Sequence, residues 1–251
     1  MLSAQAPAPL LRRDAARALA LGALALLAFA AAVTAAAGLG PWFVPKALAL
    51  FGLGAACVWH GLAAHAPHAR FGAANAVTLA RLALVALLAA AAGEPLASAP
   101  GTAWAAVALA TLAATLDAVD GPLARRSGQA SAFGARFDME TDALLILVLS
   151  VLVLQFGKAG AWVLACGGMR YAFVLAARAW PWLDAPLPPS LRRKTVCVLQ
   201  IVALIVCLAP AVPLPWSTAI AALGLLALAC SFATDIAWLA RLRRHPHEAR
   251  P

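Results

Sequence analysis

The residues whose types and spacing suit chemistry lie in one stretch, DAVDGPLARRSGQASAFGARFDMETD, residues 117–142. Its aspartates form two pairs, Asp117/Asp120 and Asp138/Asp142, spaced three and four residues apart. On a helix, either spacing puts a pair on one face. If the helices carrying them are antiparallel neighbours, the pairs face each other. Four facing carboxylates repel, and hard divalent cations with oxygen ligands relieve that repulsion. One or two Mg²⁺ or Mn²⁺ ions fit. Gly121 and Gly134 between the pairs let a bulky group approach the backbone. Ala124 is small as well, and the planar fork of Arg125 suits phosphate oxygens. Together these residues describe a nucleotide diphosphate site. Helix capping does not account for the aspartates. Asp138 opens a helix, but Asp117 and Asp120 close one, where negative charge opposes the helix dipole.

The elements that must position this stretch are long apolar runs. The chain has 251 residues, of which 64% are hydrophobic and 12% charged. A soluble domain is about 45–50% apolar. Several runs approach or exceed the roughly 20 residues that cross a bilayer, and no polar segment is long enough to carry its own core. The chain reads as an all-α polytopic transmembrane helix bundle. Its runs lie near 18–39, 46–64, 75–93, 102–119, 137–156, 160–179, 194–212 and 216–240, about eight spans. The first exceeds the roughly 7–15 apolar residues of a signal peptide, so it reads as a retained span. The motif loop is expected over 120–134. The eight tryptophans fall mostly near span ends, as interfacial anchors. His65 and His68 are also read as interfacial. The five cysteines form no CxxC and sit in apolar runs as small hydrophobes.

The net charge is +9. The basic residues form short clusters between apolar runs, which points to a membrane surface and excludes nucleic acid. With the N-terminus in the cytoplasm and alternating spans, every Lys and Arg is cytoplasmic except Lys46 and Lys158 outside and Arg81 and Arg170 within spans. Cytoplasmic loops carry such an excess. Both termini and all four aspartates then lie at the cytoplasmic face.

The pattern Asp117-x-x-Asp120-Gly121-x-x-Ala124-Arg125, eight residues, Gly134-x-x-x-Asp138-x-x-x-Asp142 resembles the signature of the CDP-alcohol phosphotransferase family, with every fixed position present. The resemblance implies a six-span family core over residues 70–240. Residues 1–69 add a tail and two N-terminal spans, and 241–251 form a basic tail. It implies a Mg²⁺-dependent enzyme of phospholipid biosynthesis in the inner cell membrane. An alcohol hydroxyl would attack the lipid-side phosphorus of a CDP-linked donor, CDP-diacylglycerol, and CMP would leave. Asp117, Asp120, Asp138 and Asp142 would hold two Mg²⁺ or Mn²⁺ ions, and Asp142 would also be the general base. Gly121, Ala124, Arg125 and Gly134 would line the CDP site. The partners are then the donor, a small polar alcohol acceptor, the bilayer and a second copy of the chain as a homodimer.

Asn75-Ala-Val-Thr78-Leu-Ala-Arg81 is similar to the family's N-x-x-T-x-x-R segment. Asn75, Thr78 and Arg81 are assigned to an acceptor or lipid pocket, since a charge within a span usually faces the protein interior. Arg170 and Arg178, eight apart, share one side of a helix and would suit an acceptor bearing its own phosphate. The run Arg192-Arg193-Lys194 is read as a membrane anchor, and Asp235 as a partner of Arg241 or another basic neighbour. Nothing in the sequence names the acceptor alcohol. Two other readings stand beside the enzyme, a divalent-cation transporter and a lipid-binding family member without turnover. Transporter sites sit near the bilayer midplane, whereas these aspartates sit at span ends with a basic loop between them. The complete motif argues against the non-catalytic reading.

Overall fold

A computed structural model describes residues 9–95, 100–126 and 128–244, save the side chains of Pro100, Val119, Asp120, Pro122, Ala124, Arg125 and Arg126. The described residues contain helices and no strand. The helices are α1 (Pro9–Ala37), α2 (Phe43–Gly61), α3 (Ala73–Ala90), α4 (Pro100–Arg126), α5 (Ala132–Gln155), α6 (Leu164–Ala179), α7 (Leu191–Leu208) and α8 (Leu214–Arg244). The protein is an integral membrane protein of the helical-bundle type. Five helices are long and apolar enough to cross a membrane: α1, α2 with the 3-10 turn that follows it, α3, α4 and α8. Three spans expected from sequence do not qualify by themselves. Helix α6 has 16 residues. Helix α7 opens with Arg192, Arg193 and Lys194, and α5 carries Asp138, Glu140 and Asp142 in its first turns.

The expected loop over 120–134 is much shorter. Helix α4 runs through Gly121 and Pro122 to Arg126, and α5 begins at Ala132. A proline removes one backbone donor, and the remaining rungs carry the helix past it. The turn that remains uses Gly128 at φ +66°, a conformation costly for any residue with a Cβ. At the C-terminus, the expected tail at 241–251 is helical as far as Arg244.

The chain divides into two units, residues 1–148 and 149–251. In the first unit α3 packs against α1, α2 and α4. Helix α4 buries a stripe of small residues, Ala103, Ala106, Ala110 and Ala113, and the Ala113 carbonyl meets α3. Small residues at this spacing let two helix backbones approach closely in lipid. The α1–α3 core is completed by Phe71 before α3 and Phe133 at the start of α5, whose rings lie 6.3 Å apart. At one end of α3, Lys46 donates to Glu94 Oε1 at 2.7 Å, and Gly40 N–H donates to Glu94 Oε2 at 3.0 Å. This clamp ties α2 to the end of α3. The hydrogen bond from Lys46, with the one from Gly40, holds the Glu94 carboxyl below the usual glutamate pKa.

In the second unit α7 and α8 pack as a hairpin. Lys158 Nζ donates to the carbonyls of Ala209 and Val212, at 3.2 and 2.7 Å, near the end of α7. At the opposite end Arg192 and Arg193 pair with Asp235, at 2.5 and 3.2 Å. The basic run that opens α7 is therefore more than a membrane anchor, and it supplies the basic neighbours of Asp235.

Candidate active site

The small-residue stripe of α4 leads into the site. Ala113 is the last alanine of the stripe, and Asp117 follows one turn later on the same face. On α3, Arg81 is fully buried, with 0% of its side chain exposed. A lone buried guanidinium is costly unless it is paired and hydrogen-bonded. Its Nε donates to the Ala113 carbonyl at 3.2 Å. Its Nη1 meets Asp117 Oδ1 at 2.9 Å and Asp138 Oδ1 at 2.5 Å, and its Nη2 donates to Asp142. One arginine thus gathers carboxylates from α4 and α5. Carboxylate oxygens of Asp117, Asp138 and Asp142 all lie within 4.8 Å of one another.

The approach of the two aspartate pairs, expected from their spacing, is present for these three residues. Asp120 and Ala124 belong to α4, but their side chains, with that of Arg125, lie outside the described residues. Gly121 is half-buried in α4. Gly134 is on α5, where a Cβ would meet Asn75 Oδ1 at 3.0 Å and Ser131 Oγ at 3.4 Å. The glycine therefore makes room for α3 as well as for any ligand. Asn75 and Thr78 are buried on α3 and donate to the carbonyls of Phe71 and Ala74, at 2.5 and 3.2 Å. Arg81, assigned from sequence to an acceptor or lipid pocket, stands at the centre of the carboxylates. Arg170 and Arg178 lie on α6 in the second unit, the first half-buried and the second exposed.

Sequence reading missed a second set of residues that set the start of α5. Ser131 Oγ accepts the Gly134 N–H at 3.1 Å, the geometry of an N-cap. The Ser131 hydroxyl lies 2.7 Å from His65 Nδ1, and His65 Nε2 lies 3.0 Å from the Arg70 carbonyl. The Arg70 carbonyl can only accept, so Nε2 carries the ring proton and donates it there. Nδ1 of the neutral ring then accepts from the Ser131 hydroxyl, whose oxygen accepts from Gly134. His65 is fully buried, against the expected interfacial position, because both ring nitrogens are used inside the protein. A serine just before the helix, Ser131, was a readable N-cap signal; its histidine partner was not.

The oxygens of the cluster suit a hard divalent cation. Opposed ligands around Mg²⁺ at about 2.1 Å stand roughly 4 Å apart, within the spread present here. Three carboxylates and one guanidinium leave two negative charges, the charge one such ion neutralises. A protein-family model described as CDP-alcohol phosphatidyltransferase matches residues 71–235 of the chain. No curated protein matches it, and no solved structure does.

Proposed function

The chain belongs to the CDP-alcohol phosphatidyltransferase family, and on that premise we propose that it transfers the phosphatidyl group of CDP-diacylglycerol to a polar alcohol and releases CMP. The observation that carries the reading is the meeting of Asp117, Asp138 and Asp142 around Arg81 inside the region matched to the family. In this reading Asp117, Asp120, Asp138 and Asp142 hold two divalent cations. Bound there, such ions stabilise the charge on the attacking and leaving oxygens of an in-line displacement.

Asp142 takes the proton of the acceptor hydroxyl as its oxygen bonds to the lipid-side phosphorus. The bond from that phosphorus to the bridging diphosphate oxygen breaks, and CMP leaves with that oxygen. A positioned base of this kind contributes about 10²–10⁴-fold. Arg81 is a positioning residue, holding carboxylates of two helices at one place. Gly121, Ala124, Arg125 and Gly134 line the CDP site. Asn75 and Thr78 are proposed for an acceptor or lipid pocket, and Arg170 and Arg178 for an acceptor that carries its own phosphate. Charge supports a diphosphate ligand. Four carboxylates, one guanidinium and two divalent ions sum to +1, which a diphosphate complements.

The same reading puts the site at the cytoplasmic face of the inner membrane, on the distribution of Lys and Arg. The test is a membrane assay with labelled CDP-diacylglycerol and a panel of acceptors: glycerol 3-phosphate, an inositol phosphate, inositol and serine. A labelled phospholipid formed with one of them supports the reading. Label that stays in CDP-diacylglycerol with all of them, under conditions where the protein is folded, contradicts it.

A further inference from the structure

A groove of about 790 Å³ lies between the start of α1, the α2–α3 connection and the α4–α5 loop. Its size is that of a small-molecule site. None of the four aspartates of the motif lines it. All four of its charged lining residues, Arg13, Asp14, Arg17 and Arg70, come before residue 71, outside the region matched to the family. It therefore lies where the N-terminal addition of this chain meets the start of the matched region.

Three guanidiniums converge on it. Arg13 and Arg17 are four apart and share one face of α1, and Arg70 comes from the connection before α3. All three are exposed, and among the described residues none is ion-paired. The one carboxylate in the lining, Asp14, accepts the backbone N–H of Phe71 at 2.9 Å. That bond fastens α1 to the connection and fixes the arginines' two segments side by side. A positive-inside anchor needs charge near the membrane face; it does not need a cavity with arginines from separate segments around it. Gln129 of the α4–α5 loop forms another wall. Its amide packs so closely on Gly72 that a Cβ there would lie 2.3 Å from Oε1. The groove is thus joined to the loop between the two aspartate-bearing helices.

We propose that this groove binds a phosphate group, carried by the headgroup of an anionic phospholipid or by a free phosphate compound, at a site separate from the aspartate cluster. Arginine forks are the side chains best matched to phosphate oxygens. The site makes α1 one wall of a ligand site whose occupant touches the motif loop through Gln129.

The test uses the purified full chain in nanodiscs of neutral phosphatidylcholine, with EDTA present so that phosphate cannot act through a divalent ion. The probes are phosphatidylglycerol at rising mole fraction and, separately, inorganic phosphate. Ligand binding to the folded state should raise the unfolding midpoint saturably, by about 3 °C or more. A rise with phosphatidylglycerol alone identifies a lipid headgroup; a rise with inorganic phosphate identifies a free phosphate compound. In either case the rise should vanish in Arg13→Gln/Arg17→Gln/Arg70→Gln. It should persist in Arg241→Gln/Arg243→Gln/Arg244→Gln, which removes equal charge from the end of α8. If the groove triple variant does not fold, Arg17→Gln alone should shift the titration to at least threefold higher probe. No rise with either probe overturns the proposal, as does an equal loss in both triple variants or an unchanged titration in Arg17→Gln.

Discussion

At the scale of single residues the account turns on Arg81 and the aspartates around it. Removing one partner of a buried ionic cluster costs about 3–5 kcal/mol, because the charges left behind are uncompensated. Arg81→Met should therefore lower the unfolding midpoint strongly in EDTA. Mg²⁺ should recover much of that loss, since a divalent ion supplies the missing positive charge to the same carboxylates. Thermal unfolding of the variant with and without Mg²⁺ reads this directly. A variant as stable as wild type in EDTA would show that Arg81 does not hold the cluster. The aspartates should divide by role. Asp117→Asn and Asp138→Asn keep the side-chain size and weaken metal binding, so excess Mg²⁺ should restore part of their rate. Asp142→Asn loses a proton acceptor, which no metal concentration replaces.

At the scale of elements, two local devices can be tested. Ser131 caps α5 and takes part in the His65 contact. Ser131→Ala should cost about 0.5–2 kcal/mol and should lower turnover more than donor KM, because it loosens the helix that carries Asp138 and Asp142. Glu94 governs a pH response. Its pKa in the folded chain lies below the unfolded value, so its contribution is complete above the unfolded pKa. It is lost as pH falls through the folded pKa. The unfolding midpoint should fall on acidification, and Glu94→Gln should remove that part of the fall. Equal acid sensitivity in wild type and Glu94→Gln would show that the clamp makes no such contribution. Much at this scale was legible in the sequence. Runs of apolar residues located the eight helices of the described residues, most of them to within four residues, but α1 starts nine residues earlier, α4 runs seven further and α5 starts five earlier. The spacing of Asp117, Asp138 and Asp142 foretold their meeting. The loop expected over 120–134 was too long, since α4 continues through Gly121 and Pro122 although both residues are poor helix formers. The place of Arg81 was hidden as well. A charge in a span announces an interior position, but which carboxylates it meets depends on how α3 lies against α4 and α5, and no local pattern encodes that.

At the scale of the whole molecule, a catalytic reading requires the two aspartate-bearing helix ends to open to the compartment that holds CDP-linked donors. A labelling experiment checks the orientation. Cys57 and Cys230 are exposed, so the native cysteines are first replaced and Ser127→Cys is introduced as the only thiol. Membrane-impermeant reagent applied to intact cells should leave it unlabelled, and the same reagent should label it in inverted vesicles; labelling in intact cells would reverse the orientation. The central claim is that the carboxylate cluster performs phosphatidyl transfer and does not conduct ions. The most direct measurement is CMP release by the purified chain in liposomes, with CDP-diacylglycerol, acceptor and Mg²⁺ each supplied or withheld, while Mg²⁺ uptake is followed in parallel. Release should require all three together and fall by about 10²–10⁴-fold in Asp142→Asn at saturating Mg²⁺, with no Mg²⁺ uptake. A folded wild-type protein that releases no CMP with any acceptor, yet carries Mg²⁺ across the bilayer, would contradict the account.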